Sequence, residues 1–182
     1  MLLKRCTTPV VAVWDAEMIL PYKQIDESLD MIMNGKAAMV IPYDQTVLFL
    51  SEEQTVASLR ADSILEHLQL HSASYRRWLG RPSCGGLFFV NREVYLKCGG
   101  ENEHFYGWGP EDAERVRRME ILGYPVGVNT EGPLYHLWHP RGDNSRFFNR
   151  QLASNSRLEL IRICNMDIKE LTDDVASWRN RK

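Results

Sequence analysis

Residues 84–124 read CGGLFFVNREVYLKCGGENEHFYGWGPEDAERVRRMEILGY. The glycine pair Gly85–Gly86 opens an apolar run, Leu87 to Val90, whose length and composition predict a strand. Asn91 to Cys98 follows as one or two helical turns, closed by Gly99 and Gly100. The segment His104 to Gly109 is aromatic and glycine-rich. Pro110 then starts a strong helix. Proline takes the first position, Glu111 and Asp112 stand in the first turn, Arg117 and Arg118 come later, and Gly123 is the stop. A strand, a loop and a capped helix in this order set the class as α/β.

Working outward, Pro9 to Trp14 (PVVAVW) is a short β-branched run. It reads as a fully buried strand from the middle of a mixed or parallel sheet. It ends at Asp15-Ala16-Glu17, and polar groups at the C-terminal end of a buried strand are where open α/β sheets hold ligands. Pro21 to Asn34 predicts a helix, with Ile25, Leu29 and Ile32 on one face and Gly35 as its stop. Ala37 to Ile41 and Val47 to Leu50 predict strands, and Glu52 to Leu70 one long helix. His71 to Ser83 is a basic connection without a period. Val126 to Asn129 and Leu134 to Leu137 are short strands. Two helices form a C-terminal extension over 145–182. In the last, Asp167 and Glu170 fit a capping box, and Ile168, Leu171, Val175 and Trp178 form a stripe. The pattern implies one α/β domain over 1–182, a mixed sheet flanked by helices with a helical tail.

The 182 residues carry 22 basic and 24 acidic side chains, a formal charge of -2, and 44% are hydrophobic. A chain of this size buries about 70% of its unfolded surface, so a real core is expected and disorder is excluded. The balanced charge argues against a nucleic-acid coat protein. No apolar run reaches the roughly 20 residues of a membrane span. The N-terminus lacks the apolar core of a signal peptide, so the expected location is cytoplasmic, or peripheral at a membrane face. The cysteines at 6, 84, 98 and 164 form no CxxC pair and are expected as reduced thiols. His67 and His71 stand four apart on a helix, but no Glu or Cys in a fitting frame supports a metal site there.

Three clusters could carry chemistry. Asp15-Ala16-Glu17 places two carboxylates around one residue, suited to a hard cation that bridges phosphates; an acidic helix start is the plain alternative. In Tyr106-Gly107-Trp108-Gly109-Pro110-Glu111-Asp112, a carboxylate could act as general base and an aromatic could stack on a sugar face. Helix capping accounts for Pro110, Glu111 and Asp112, but not for two aromatics interleaved with two glycines. In His136-Leu137-Trp138-His139-Pro140-Arg141, two imidazoles suit Mn²⁺ in a mixed nitrogen and oxygen site, and Arg141 could pair with phosphate; a purely structural pair is the alternative.

Taken together, the order and spacing of VVAVWDAEMILP (Val10–Pro21), the opening stretch (Cys84–Tyr124) and LYHLWHPRGDNSRF (Leu134–Phe147) resemble the catalytic, C-terminal part of A-type glycosyltransferases, in particular the β-1,4-galactosyltransferase and chondroitin-polymerase-like groups. The resemblance implies transfer of a sugar from a nucleotide diphosphate, in all expectation a UDP-sugar, to a glycan hydroxyl with inversion. It implies Mn²⁺ or Mg²⁺ held by Glu17, His136 and His139. Asp15 takes the position that faces the nucleotide, and Glu17 stands where the family usually has aspartate. Asp112 looks like the catalytic base, with Glu111 beside it on the acceptor. Trp108 resembles the tryptophan of a small mobile loop. Tyr106, Gly109, Gly86 and Arg141 fall at substrate-binding positions, and Arg141 to Arg150 resembles a long closing loop.

The nucleotide-binding half that such enzymes place before the acidic motif has no counterpart ahead of Pro9. Three alternatives follow: a piece of a longer product, a half completed by a partner or a second copy across the open sheet edge, or a degenerate relative that binds a sugar or nothing. The last predicts a carbohydrate-binding or assembly module with no metal dependence.

Overall fold

The structure is a computed structural model that describes residues 2–106, 109–142 and 149–179. Among the described residues, eight strands form two four-stranded sheets. The strands are β1 (Val10–Trp14), β2 (Met18–Ile19), β3 (Met39–Ile41), β4 (Val47–Phe49), β5 (Arg76–Arg77), β6 (Leu87–Asn91), β7 (Val126–Val128) and β8 (Leu134–His136). The first sheet runs β1-β6-β3-β7 and the second β2-β8-β4-β5. β3 pairs parallel with β7, and β4 parallel with β8; the other pairings are antiparallel. The helices are α1 (Tyr22–Met33), α2 (Glu52–Arg60), α3 (Ile64–Leu70), α4 (Arg92–Lys97), α5 (Glu111–Ile121), α6 (Arg150–Cys164) and α7 (Ile168–Arg179). This is the mixed α/β class that the sequence implies, built as a partial A-type glycosyltransferase-like fold.

The core sits around β3 and β6. Met39, Val40, Ile41 and Leu87 to Val90 are all buried, as expected of strands covered on both faces. The second sheet shows the period of two. Met18, Leu134, His136, Val47 and Phe49 share one face. Ile19, Tyr135 and Leu48 share the other, over a small core of Leu50, Leu68 and Tyr75.

Several elements differ from the sequence expectation. β1 is an edge strand with one neighbour, β6, and only Val11 in it is buried; Val13 and Trp14 are more than a third exposed. The expected long helix breaks at Ala61, because Ser63 accepts a hydrogen bond from the Glu66 N–H and caps a separate α3. The connection after His71 contains the short strand β5, paired with β4. Pro110 stands at the N-cap of α5 and not inside it. Asp167 and Glu170 form the expected capping box, while Ile168 leaves the apolar stripe and is 56% exposed. No disulfide joins Cys6, Cys84, Cys98 or Cys164, and the His67 and His71 rings stack with centroids 4.2 Å apart. Among the described residues, no helix is long and apolar enough to cross a membrane.

Candidate active site

The acidic motif forms a tight turn between the two sheets. The Asp15 N–H donates to the Gly86 carbonyl, the Met18 N–H returns to the Asp15 carbonyl, and the Trp14 indole N–H closes the turn on the Met18 carbonyl. The Leu137 N–H donates to the Glu17 carbonyl, which fixes the end of β8 beside the motif. The Glu17 carboxylate consequently lies 3.8 Å from His136 Nε2 and 3.5 Å from His139 Nε2. The two rings stack with centroids 5.3 Å apart, so the bend after β8 brings both histidines to one place.

The tautomers follow from the other ring nitrogen. His136 Nδ1 donates to the Leu137 carbonyl at 2.6 Å, and His139 Nδ1 donates to the Pro140 carbonyl at 3.1 Å. Each ring thereby keeps its Nε2 lone pair turned towards Glu17, the orientation a backbone carbonyl commonly gives a metal ligand. Burial holds the His136 imidazole below its ordinary pKa, which favours the neutral, ligating form. The ligand atoms of the three residues all lie within 4.8 Å of one another. One carboxylate and two imidazoles this close together are a donor set that could hold a divalent ion such as Mn²⁺.

Across a cavity of about 740 Å³ stand Glu111 and Asp112. They open α5, and Asp112 comes close because the wall opposite is Gly85. A Cβ there would stand 2.2 Å from Asp112 Oδ2. Gly86 has a φ of +85°, and a Cβ on it would meet Met18 Cε at 2.6 Å. The Tyr43 hydroxyl holds the pair by donating to the Gly85 carbonyl at 2.6 Å. Arg115 donates to Asp112 Oδ1 at 2.6 Å and to Glu101 Oε2 at 2.9 Å, with its guanidinium over the Phe88 ring. Asp112 is thus held by a cation that is itself fixed on three sides.

Glu111 differs from its neighbour. Its Oε2 is buried without a hydrogen-bond partner, and burial pushes its carboxyl up to about 7. Asp15, in the cavity wall, also titrates above the usual carboxylate range, first through partial desolvation and then through Glu17 and Asp112.

Of the residues singled out in the sequence, Asp15, Glu17, Gly86, Gly109, Glu111, Asp112, His136, His139 and Arg141 all line this cavity. Tyr106 does not: it follows a turn closed by the Phe105 N–H on the Asn102 carbonyl, and is 69% exposed. Trp108 lies outside the described residues, as do residues 143–148 of the expected closing loop. Sequence reasoning missed Phe49, Trp78 and Arg81 in the wall, Arg157 from α6, and Arg115 behind Asp112. The Arg76-Arg77-Trp78 run was the available signal for the basic rim; nothing local marks Phe49 or Arg157.

Residues 66–140 match the sequence profile of the N-terminal domain of galactosyltransferase. The matched stretch contains Gly85, Gly86, Glu111, Asp112, His136 and His139. β-1,4-Galactosyltransferase 7 of Mus musculus and of Homo sapiens are each 34% identical to this chain over 61 residues, covering 31% of it. The match spans 19% of the length of those relatives. With the mixed α/β architecture, these similarities support a galactosyltransferase-related domain of the A type within this chain.

Proposed function

We propose that this domain supplies the metal and acceptor side of an inverting, Mn²⁺-dependent glycosyltransferase, which moves a sugar from a nucleotide diphosphate to a glycan hydroxyl. The observation that carries the reading is the meeting of the Glu17–His136–His139 cluster and the Glu111–Asp112 pair on one cavity. When bound, a Mn²⁺ or Mg²⁺ ion held by Glu17, His136 and His139 offsets the charge of the diphosphate leaving group. Asp112 takes the proton of the attacking acceptor hydroxyl, and Arg115 fixes the carboxylate that receives it. Glu111, whose carboxyl burial pushes up to about 7, can donate to a sugar hydroxyl when protonated and accept from one when ionised. Asp15 faces the nucleotide from the acidic turn.

Calorimetric titration of UDP into the purified chain, with and without Mn²⁺, tests the proposal. Binding is expected only with Mn²⁺ and is expected to vanish in Glu17→Ala and His139→Ala. Absence of binding in both conditions would sink the donor-site reading and favour a saccharide-binding module that uses Trp108 and Asp112 without metal.

A further inference from the structure

The register of the second sheet lines up one residue from each strand. Met18 of β2 pairs with His136 of β8, His136 with Phe49 of β4, and Phe49 with Arg76 of β5. Residues paired in this way share a face, so the row leads from the metal cluster out to Arg76. The row is in contact along its length. The His136 ring stacks on Phe49 with centroids 3.8 Å apart, and Phe49 stacks on Trp78 at 4.4 Å. The Arg76 guanidinium lies 6.0 Å from the Phe49 centroid and 5.7 Å from that of Trp78, and the Arg141 guanidinium lies 5.0 Å from Trp78. Arg81 stands in the same cavity wall.

The other arginines with ion pairs here are Arg115, Arg117, Arg118 and Arg162. Among the described residues, Arg76, Arg81 and Arg141 make none, and all three are exposed. Aromatic faces hold two of these guanidiniums in place while leaving their planar N–H forks unused. The cavity wall therefore carries both signs: Asp15, Glu17, Glu111 and Asp112 are acidic, and Arg81, Arg141 and Arg157 basic, with Arg76 beyond. Arg76 stands two strand spacings from His136, about 9–10 Å. The charge of a diphosphate would be offset by the cation that Glu17, His136 and His139 would hold. A negative charge read at Arg76 belongs to a different part of what is bound.

We infer that the saccharide taken by this cavity is an anionic one, carrying a carboxylate, sulfate or phosphate group that Arg76 and Arg141 bind in bidentate fashion, with Arg81 adding charge. The inference rests on the glycan-acceptor reading above and names the acceptor's chemical class.

The test is metal-free titration of the full chain with four tetrasaccharides of matched length: one neutral, one bearing uronate, one sulfated and one phosphorylated. At least one charged probe is expected to bind about tenfold tighter than the neutral one, and to lose that advantage at high salt. Arg76→Gln and Arg141→Gln should each remove about tenfold of affinity for the charged probe and little for the neutral one; Arg117→Gln, on the exposed face of α5, is the control. If all three charged probes bind no better than the neutral one, the inference is wrong. It is equally overturned if the arginine variants weaken UDP binding with Mn²⁺ and leave the saccharide unaffected, because the arginines would then serve the donor. Failure of the transferase reading shows separately, as absence of Mn²⁺-dependent UDP binding in the unaltered chain.

Discussion

Glu111 and Asp112 are neighbours in sequence and stand in different surroundings. Asp112 is paired to Arg115, whereas Glu111 Oε2 is buried without a partner and its carboxyl titrates near 7 in place of the ordinary 4.5. The sign of the stability effect follows from linkage. Between pH 4.5 and about 7 the folded chain holds a proton on Glu111 that the unfolded chain has lost, so this group lowers stability progressively as pH rises through that window, and the loss is complete above it. Glu111→Gln keeps the neutral shape at every pH. It should raise Tm by about 2–4 °C at pH 8, and change it little at pH 4. Equal shifts at both pH values, measured by calorimetry, would mean that burial does not hold this proton. The sequence made both carboxylates visible as a first-turn pair. It could not separate them, because the difference comes from Arg115 one turn on, which pairs with Asp112, and from the burial of Glu111 Oε2.

At the scale of elements, α5 is held by a buried ion pair. Arg118 is fully buried and donates to Glu114 Oε1 at 2.7 Å, to the Gly100 carbonyl at 2.8 Å and to the Cys98 carbonyl, with its guanidinium 5.2 Å from the Trp178 ring of α7. One side chain thus ties α5 to the turn after α4 and to the C-terminal helix. Arg118→Met leaves Glu114 as an unpaired buried charge, at a cost of about 3–5 kcal/mol in urea unfolding. Adding Glu114→Gln should recover part of that loss. A single-variant loss under about 1 kcal/mol would mean water reaches Glu114. Arg117 and Arg118 read in the sequence as C-terminal helix cations; the burial of one of them depends on α4 and α7, which no local pattern reveals. The same limit explains the other misses. The β-branched run of β1 was legible as a strand, yet its place at an edge depends on what pairs with it. β5 is two exposed arginines with no apolar alternation to announce it. The break between α2 and α3 was legible in principle, since Ser63 and Glu66 have capping spacing.

Over the described residues, the chain passes between the two sheets five times, at 15–17, 20–38, 42–46, 78–86 and 129–133. The first of these connections and most of the fourth line the cavity, so the site lies where the sheets are joined. Glu17 comes from the first crossing, and His136 and His139 come from the end of β8 and beyond it. A cation bound by all three ligates the folded chain and not the unfolded one, which makes metal affinity a stability term. At Mn²⁺ about a hundredfold above its Kd the gain is about 2.7 kcal/mol, or roughly 5–10 °C in Tm for a chain of this size. Glu17→Ala should abolish the rise, because it leaves two imidazoles without the carboxylate. Asp112→Asn, across the cavity, should keep it. Ca²⁺ should give a smaller rise than Mn²⁺, since two of the three donors are nitrogen. A rise that survives Glu17→Ala, or that Ca²⁺ matches, would place the cation elsewhere, and the acidic turn would then serve only to join the sheets.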